Sequence, residues 1–306
     1  MSRSPSLASL AACGLAACVT AKPAPKPFEL APAPAGTLTA GLIVSSGTAT
    51  ALEQADAFAL FVQKVVAKPT RAVIFPDYDT LATALAQGKV DVAYLAPMAY
   101  VRATAQGKVT PLVKVVRAGQ ATYRSVLFGA KGSPIANLDE LKKASELKVA
   151  WVDPSSASGY IFAKALLMQK GINPQGLFKD QGFLGSHDAV CRAVAEGKAQ
   201  VGASYSIDPA EAPVKVVTGC KTALSDLGAA TLRVIGTTES IPTDVLAVKD
   251  GFPADGRDAL SAAARALEGS DDGKKVLSTA FHGEGFTAVS DEDYAPVRAA
   301  LLVFKQ

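Results

Sequence analysis

From Thr37 onward, short apolar runs alternate with longer segments of helical spacing, and this alternation limits the folds open to the chain. Residues 38–45, 71–75 and 90–95 have the length and composition of buried strands, while 51–67 has the apolar periodicity of a helix. Strand–helix alternation predicts an α/β protein with mixed, mostly parallel sheets flanked by helices. In such proteins ligands bind at the carboxyl ends of the strands.

One stretch of sequence recurs in the second half of the chain. Residues 84–94, ALAQGKVDVAY, resemble residues 193–203, AVAEGKAQVGA, and in each a helical segment ends at a glycine before a short apolar run. The copies lie too far apart for a solenoid repeat, so they favour two similar lobes, each built on a small α/β sheet. The alternative is a helix–glycine–strand connection of the kind found in any α/β protein.

Length and charge narrow the function classes. A chain of 306 residues is long enough for about two domains. Its 31 Lys and Arg nearly balance its 28 Asp and Glu, and they form no run, which argues against nucleic acid as a partner. The sequence has no uninterrupted apolar span of transmembrane length.

The N-terminus has the features of an export signal. Arg3 supplies a thin positive region, residues 7–17 an apolar core, and Leu15-Ala16-Ala17-Cys18 resembles the lipobox of bacterial lipoproteins. We therefore expect 1–18 to be a lipoprotein signal peptide with Cys18 as the acylated residue. Cys13 fits the same pattern but leaves a shorter apolar core. A signal peptide that is cut without lipidation remains the alternative.

Residues 19–36 are rich in proline and alanine, so we expect an extended linker rather than a packed segment. Two cysteines then remain in the expected mature chain, Cys191 and Cys220. An exported chain can oxidise them to a disulfide, but two small buried thiols would satisfy the sequence as well. Their spacing does not match that of a metal site.

A serine-rich turn joins an apolar run, 147–151, to a helical segment, 161–170. Ser155, Ser156 and Ser158 are residue types that cap helices, and Gly159 lets the backbone come close to a ligand. Because a helix start presents unpaired N–H groups, this turn is a candidate anion site. An ordinary capped helix is the simpler interpretation of the turn alone.

Five motifs in order give the chain a family resemblance. They are Phe75-Pro76-Asp77-Tyr78, 90–97 (VDVAYLAP), 153–159 (DPSSASG), Gly185-Ser186-His187-Asp188 and Ile241-Pro242-Thr243-Asp244. Their order and approximate spacing resemble those of the phosphonate/phosphite-type periplasmic substrate-binding proteins of ABC transporters. The resemblance implies a two-lobe periplasmic binding protein fold with the ligand in the cleft between the lobes. We expect 37–127 with 244–306 to form the first lobe and 128–243 the second.

The resemblance also implies roles for residues at matching positions. Ser156 and Ser158 match hydroxyl groups that hold the phosphonate oxygens, together with backbone N–H groups at the helix start. His187 matches a histidine that donates to the same group. Tyr78 and Tyr123 match tyrosines that reach the ligand from the first lobe.

Other positions bear on which ligand is bound. Asp244 matches the acid that pairs with a ligand amine in aminophosphonate binders, and a second such acid falls near Ile207 or Asp208. The family commonly has a third hydroxyl residue where this chain has Ala157, so one contact to the oxyanion is expected to be missing.

These features predict an exported, lipid-anchored solute-binding protein that works as a monomer without a cofactor or metal. It would capture a small oxyanion of the phosphonate or phosphite type and deliver it to an ABC permease. A ligand sensor for a membrane receptor is the alternative. A periplasmic Ser/His hydrolase is disfavoured, because no Gly-x-Ser-x-Gly turn surrounds the serines.

Overall fold

The predicted alternation of strands and helices is present. The computed structural model describes residues 28–44, 48–208, 217–221, 223–225 and 231–303. The leader expected at 1–18, including Cys18, therefore lies outside the described residues. Within them, no helix is both long enough and apolar enough to cross a membrane.

The strands and helices follow one another through the described chain. The strands are β1 (Leu38–Leu42), β2 (Thr70–Ile74), β3 (Val92–Leu95), β4 (Val109–Val116), β5 (Thr122–Ala130), β6 (Leu147–Trp151), β7 (Phe178–Phe183), β8 (Val201–Ser206), β9 (Leu232–Pro242), β10 (Val245–Lys249) and β11 (Gly285–Thr287). The α-helices are α1 (Thr48–Val66), α2 (Tyr78–Ala86), α3 (Pro97–Gln106), α4 (Leu138–Lys143), α5 (Phe162–Gln169), α6 (Pro174–Leu177), α7 (His187–Ala195), α8 (Ala254–Ala266), α9 (Asp271–Phe281) and α10 (Ala295–Leu302). A π-helical turn, Ala157–Ile161, leads directly into α5.

These strands form two mixed sheets. The first has the order β11-β4-β10-β3-β1-β2 and the second the order β7-β6-β8-β5-β9. In the first sheet β1 is parallel to β2 and β3, whereas β10 and β11 are antiparallel to their neighbours. In the second sheet β6 is parallel to β7 and β8, and β5 is antiparallel to β8 and β9. Each sheet thus has parallel strands at one edge and returning antiparallel strands at the other.

The repeated segment occupies equivalent places in the two sheets. Gly88 ends α2 before β3 with φ 72°, and Gly197 ends α7 before β8 with φ 73°. Both angles lie in the left-handed region that glycine adopts without strain. β3 and β8 each pair with a parallel strand on one side and an antiparallel strand on the other. The repeat therefore marks two related lobes.

The chain crosses between the sheets at 117–121 and again at 243–244. The second crossing coincides with the boundary expected from the sequence. The first does not, because β5 pairs with β9 from Thr122 to Ala130, so residues 122–127 belong to the second sheet. Nothing local in the sequence shows which sheet this strand joins.

One buried cluster connects the two lobes. Ile161 and Phe162, at the entrance to α5, belong to the same cluster as Tyr294 and Val297 of the C-terminal segment. Helix α10 contacts both α5 and the π-helical turn. The end of the chain therefore stabilises the arrangement of the second lobe against the first.

The end of the expected linker is bound to the first lobe. The ring of Phe28 lies 5.0 Å from that of Phe75. The Arg71 guanidinium donates to the carbonyl oxygens of Ala31 at 2.5 Å and Pro32 at 3.2 Å. The segment expected to be an extended spacer is thus in contact with the first lobe from Phe28 onward.

Cys191 and Cys220 form a disulfide in the structure. Their Cα atoms are 5.5 Å apart, and both residues are buried. Cys191 belongs to α7, and Cys220 ends a short 3₁₀ turn, Thr218–Cys220, in the connection between β8 and β9. The bond therefore ties this connection to the helix that begins at His187.

Candidate functional site

A cavity of about 680 Å³ lies between the two lobes. Both sheets and both crossing segments contribute to its walls. The lining residues are Ile43, Thr50, Gln54, Tyr78, Tyr94, Ala96, Pro97, Arg117, Ala118, Tyr123, Ser155, Ser156, Ala157, Ser158, His187, Tyr205, Ile207, Thr243, Asp244, His282 and Glu284. Of the seven ligand-binding positions predicted from the sequence, all except Gly159 are among them.

Several helix starts converge on this cavity. Tyr78, Pro97 and His187 are the first residues of α2, α3 and α7, and Ser156 caps the turn that leads into α5. A helix start carries unpaired N–H groups and the positive end of the helix dipole. Four such ends at one cavity produce a region that favours a bound anion.

The serine-rich turn both caps its helix and lines the cavity. Ser156 Oγ accepts from the N–H of Gly159 at 3.0 Å. The N–H of Ser155 donates to Asp153 Oδ1 at 2.7 Å, and Ser125 Oγ donates to the carbonyl of Ser158 at 2.6 Å. These bonds fix the turn from both ends. The capping and the anion-site interpretations of this turn are therefore compatible.

Close packing within the protein requires glycine at position 159. A Cβ atom at this position would lie 2.3 Å from Val152 Cγ2 and 2.8 Å from Ser156 Oγ. The close approach that requires glycine is thus to the preceding strand end and the cap. The sequence pattern indicated that a backbone passes closely here, but it could not show what the backbone approaches.

Three of the four tyrosines that line the cavity are Tyr78, Tyr123 and Tyr205. Burial raises the pKa of Tyr78 to about 12 and the pKa of Tyr123 well above its usual value. Burial also raises the pKa of Tyr205. At neutral pH all three phenols are protonated and can donate to an oxyanion.

His187 is held in an orientation set by the second lobe. Its Nδ1 lies 2.8 Å from Ser204 Oγ, and its ring packs edge-to-face on Tyr205 with centroids 5.0 Å apart. Burial lowers the pKa of His187 to about 4, so the imidazole is neutral at pH 7. Within the described chain, its hydrogen-bond partner is Ser204 and not Ser156 or Ser158.

Acidification is expected to destabilise the protein through His187. An unfolded histidine binds a proton near pH 6.5, whereas His187 in the fold does so only near pH 4. Between these values the unfolded chain binds more protons, so the free energy of unfolding falls as pH falls. Because the ring is partly exposed, we expect a loss of about 2 kcal/mol between pH 7 and pH 4.

Urea unfolding of the wild type and His187→Gln at pH 7 and pH 4 measures this effect. The glutamine keeps a polar group near Ser204 but does not titrate. The wild type is expected to lose about 2 kcal/mol more than the variant. Equal losses in the two proteins would contradict the assignment.

Asp244 already has a cationic partner in the structure. Arg117 Nη2 donates to Asp244 Oδ2 at 2.6 Å and to the Tyr94 hydroxyl at 2.9 Å. Burial alone would lower the pKa of Arg117, but Tyr94 and the Asp244 carboxylate raise it, so the guanidinium stays charged. The resemblance assigned Asp244 to a ligand amine, yet its charge is compensated within the protein. The sequence analysis did not identify Arg117, Tyr94 or Tyr205 as cavity residues.

The charged side chains that line the cavity are few. Glu284 is exposed at its edge, and among the described lining residues the other charged groups are Arg117 and Asp244. Asp208, the second candidate acid, accepts from Ser206 Oγ at 2.6 Å and is not a lining residue. Ala157 does line the cavity, so a methyl group stands where the family commonly has a hydroxyl. In the described part of the chain, no group of three His, Cys, Asp or Glu side chains could hold a metal ion.

Comparison with known proteins identifies relatives of this chain. A curated relative, the phosphate-import protein PhnD of Mycolicibacterium smegmatis, is 26% identical over 279 residues, covering 86% of this chain and 84% of the relative. A binding protein component of an ABC phosphonate transporter from Pseudomonas aeruginosa is 22% identical, with a TM-score of 0.69 over 88% of this chain and 86% of that one. PhnD1 from Prochlorococcus marinus, solved in complex with methylphosphonate, is 19% identical, with a TM-score of 0.68 over 88% of this chain and 98% of that one.

The two solved structures share the mixed α/β fold with its two lobes. The family model that describes the phosphonate periplasmic substrate-binding protein of ABC transporters matches residues 42–294. This match spans both sheets and every motif on which the sequence resemblance rests. The chain therefore belongs to the family of periplasmic substrate-binding proteins of phosphonate ABC transporters.

Proposed function

We propose that this protein captures a small phosphorus oxyanion between its two lobes and presents it to an ABC permease. The observation that carries the proposal is the convergence of hydroxyl groups, a neutral imidazole and helix starts on one cavity. Tyr78, Tyr123, Ser158 and His187 supply these side-chain donors. The Prochlorococcus relative was solved with methylphosphonate, and the Mycolicibacterium relative is named a phosphate importer. Methylphosphonate and phosphate are both phosphorus oxyanions, which is the ligand class that such donors can bind.

The donors match the needs of a phosphorus oxyanion. Each ligand oxygen accepts several hydrogen bonds, and bonds to a charged acceptor are stronger than those between neutral groups. When Ser204 donates to His187 Nδ1, the imidazole proton lies on Nε2 and is available to the ligand. The N–H groups of the turn at Ala157 add backbone donors at the positive end of a helix. Neutral donors and dipoles thus replace a side-chain cation.

The same residues would couple binding to closure of the lobes. Tyr78 begins a helix that packs on the first sheet, whereas Ser158 and His187 belong to the second lobe. A ligand that bonds to both sides stabilises the closed arrangement relative to an open one. We infer that the protein shuttles as a monomer in the periplasm and that a lipid at Cys18 anchors it there. The permease would then recognise the closed form.

Thermal unfolding of the full chain against a ligand panel tests the proposal. The panel contains phosphate, phosphite, methylphosphonate, sulfate and an alkanesulfonate. A ligand that binds only the folded state at a hundredfold excess over its Kd raises the free energy of unfolding by about 2.7 kcal/mol. We expect such a shift with at least one phosphorus compound and a smaller one with the sulfur compounds. No shift with any phosphorus compound would contradict the function.

A further inference from the structure

Arg117 is built firmly into the wall of the cavity. Besides its bond to Asp244, its Nε donates to the carbonyl of His282 at 2.9 Å, and Nη2 also lies 3.3 Å from the carbonyl oxygen of Phe281. The side chains of Arg117 and Asp244 are only 23% and 22% exposed. Backbone carbonyl groups thus orient the guanidinium whether or not a ligand is present.

The Arg117–Asp244 pair determines which charges would act on a cationic ligand in the cavity. A ligand ammonium needs a carboxylate whose charge is not already compensated. The Oδ2 atom of Asp244 accepts from Arg117 Nη2, and the Tyr94 hydroxyl lies 3.3 Å from the same oxygen. A second cation placed beside Asp244 would also be repelled by Arg117 in a partly desolvated site.

The other acids do not replace Asp244. Glu284 is exposed at the cavity edge, where a single ion pair with a ligand adds little. Asp208 accepts from Ser206 and does not line the cavity.

We propose that Arg117 occupies, within the protein, the place of a ligand ammonium, so that the site selects phosphorus oxyanions without an amine and discriminates against aminoalkylphosphonates. The inference rests on the oxyanion function proposed above and names the substrate class of the same cavity. Arg117 is thus a specificity-determining residue, because its charge acts on the substituent of the ligand while neutral donors hold the oxyanion.

Two isosteric ligands test this directly. Propylphosphonate and 2-aminoethylphosphonate have chains of equal length that end in a methyl group and an ammonium. Calorimetry with the wild type is expected to give at least tenfold weaker binding for 2-aminoethylphosphonate. Equal or tighter binding of the amine would overturn the inference and leave the oxyanion function intact. Binding of no phosphorus oxyanion at all would overturn both.

Variants at Arg117 identify the group responsible. Arg117→Met removes the charge at similar volume and frees Asp244, so the preference is expected to shift at least tenfold towards 2-aminoethylphosphonate. Arg117→Lys keeps the cation and should keep the wild-type preference. If Arg117→Met still binds propylphosphonate but its preference is unchanged, Arg117 does not set the specificity. If that variant fails to fold, the wild-type comparison alone decides the proposal.

Discussion

Removing the hydroxyl groups of Ser158 and Tyr123 together is expected to weaken oxyanion binding by about 3–6 kcal/mol, or roughly 10²–10⁴-fold. Each hydroxyl is expected to donate to the charged ligand, and a hydrogen bond to a charged group contributes about 1.5–3 kcal/mol. The two are changed together so that the loss of both donors to the same ligand is measured at once. Calorimetry with the Ser158→Ala, Tyr123→Phe double variant measures the effect.

The fold should tolerate this double change. The phenylalanine keeps the edge-to-face contact with Tyr205, whose ring centroid lies 6.2 Å away, and the helix cap belongs to Ser156. Tyr100→Phe is the matched control, because it removes a buried hydroxyl that donates to Asp291 outside the cavity. That variant should lose stability but keep its affinity. An unchanged affinity in the double variant would refute the assignment of these two donors.

Reduction of the Cys191–Cys220 disulfide is expected to lower the free energy of unfolding by about 3–4 kcal/mol. The bond closes a loop with a sequence separation of 29, and opening it restores conformational freedom mainly to the unfolded chain. Urea unfolding with and without a thiol reductant measures the loss. A Cys191→Ala, Cys220→Ala variant is the control, since its stability should not respond to the reductant.

This bond also supports the site. Cys191 lies one helical turn from His187 in α7, and Gly219 packs so closely that a Cβ there would lie 2.3 Å from Ser204 Oγ, the partner of His187. Reduced protein that still folds is therefore expected to bind its ligand more weakly. If stability and affinity were both insensitive to reduction, the bond would have neither role.

Local signals in the sequence were enough to predict much of the fold and several residues that line the cavity. Tyr78, Ser156 and His187 stand at helix starts, where a few neighbouring residues determine the conformation. The repeated helix–glycine–strand segment was sufficient to infer two lobes, because Gly88 and Gly197 mark the helix ends in the sequence itself.

The sequence analysis did not predict strand β4, and the reason is physical. Pro111 lies inside it, and proline within an apolar run argues against a central strand. In the structure Pro111 faces Ala247 where the register between β4 and β10 shifts, so the missing N–H falls at an irregularity of the ladder. Since β4 was not predicted, Arg117 at its end was not recognised as a cavity residue.

The Arg117–Asp244 pair could not be predicted in the same way. Its members are 127 positions apart and meet only because β4 and β10 are neighbours in the first sheet. A motif match found Asp244 but not the group that neutralises it. The ligand specificity proposed above would therefore depend on tertiary pairing rather than on a local pattern.

Residues 28–32 are bound to the first lobe, so an anchor preceding them would restrain that lobe more directly than the second. Arg71 and Phe75 hold this segment on the side of β2, at the edge of the first sheet. If Cys18 is the anchor, nine residues separate it from Phe28, and a chain of that length spans about 30 Å at most. The first lobe would then stand as a fixed support beside the membrane, and each opening of the cleft would swing the second lobe against it.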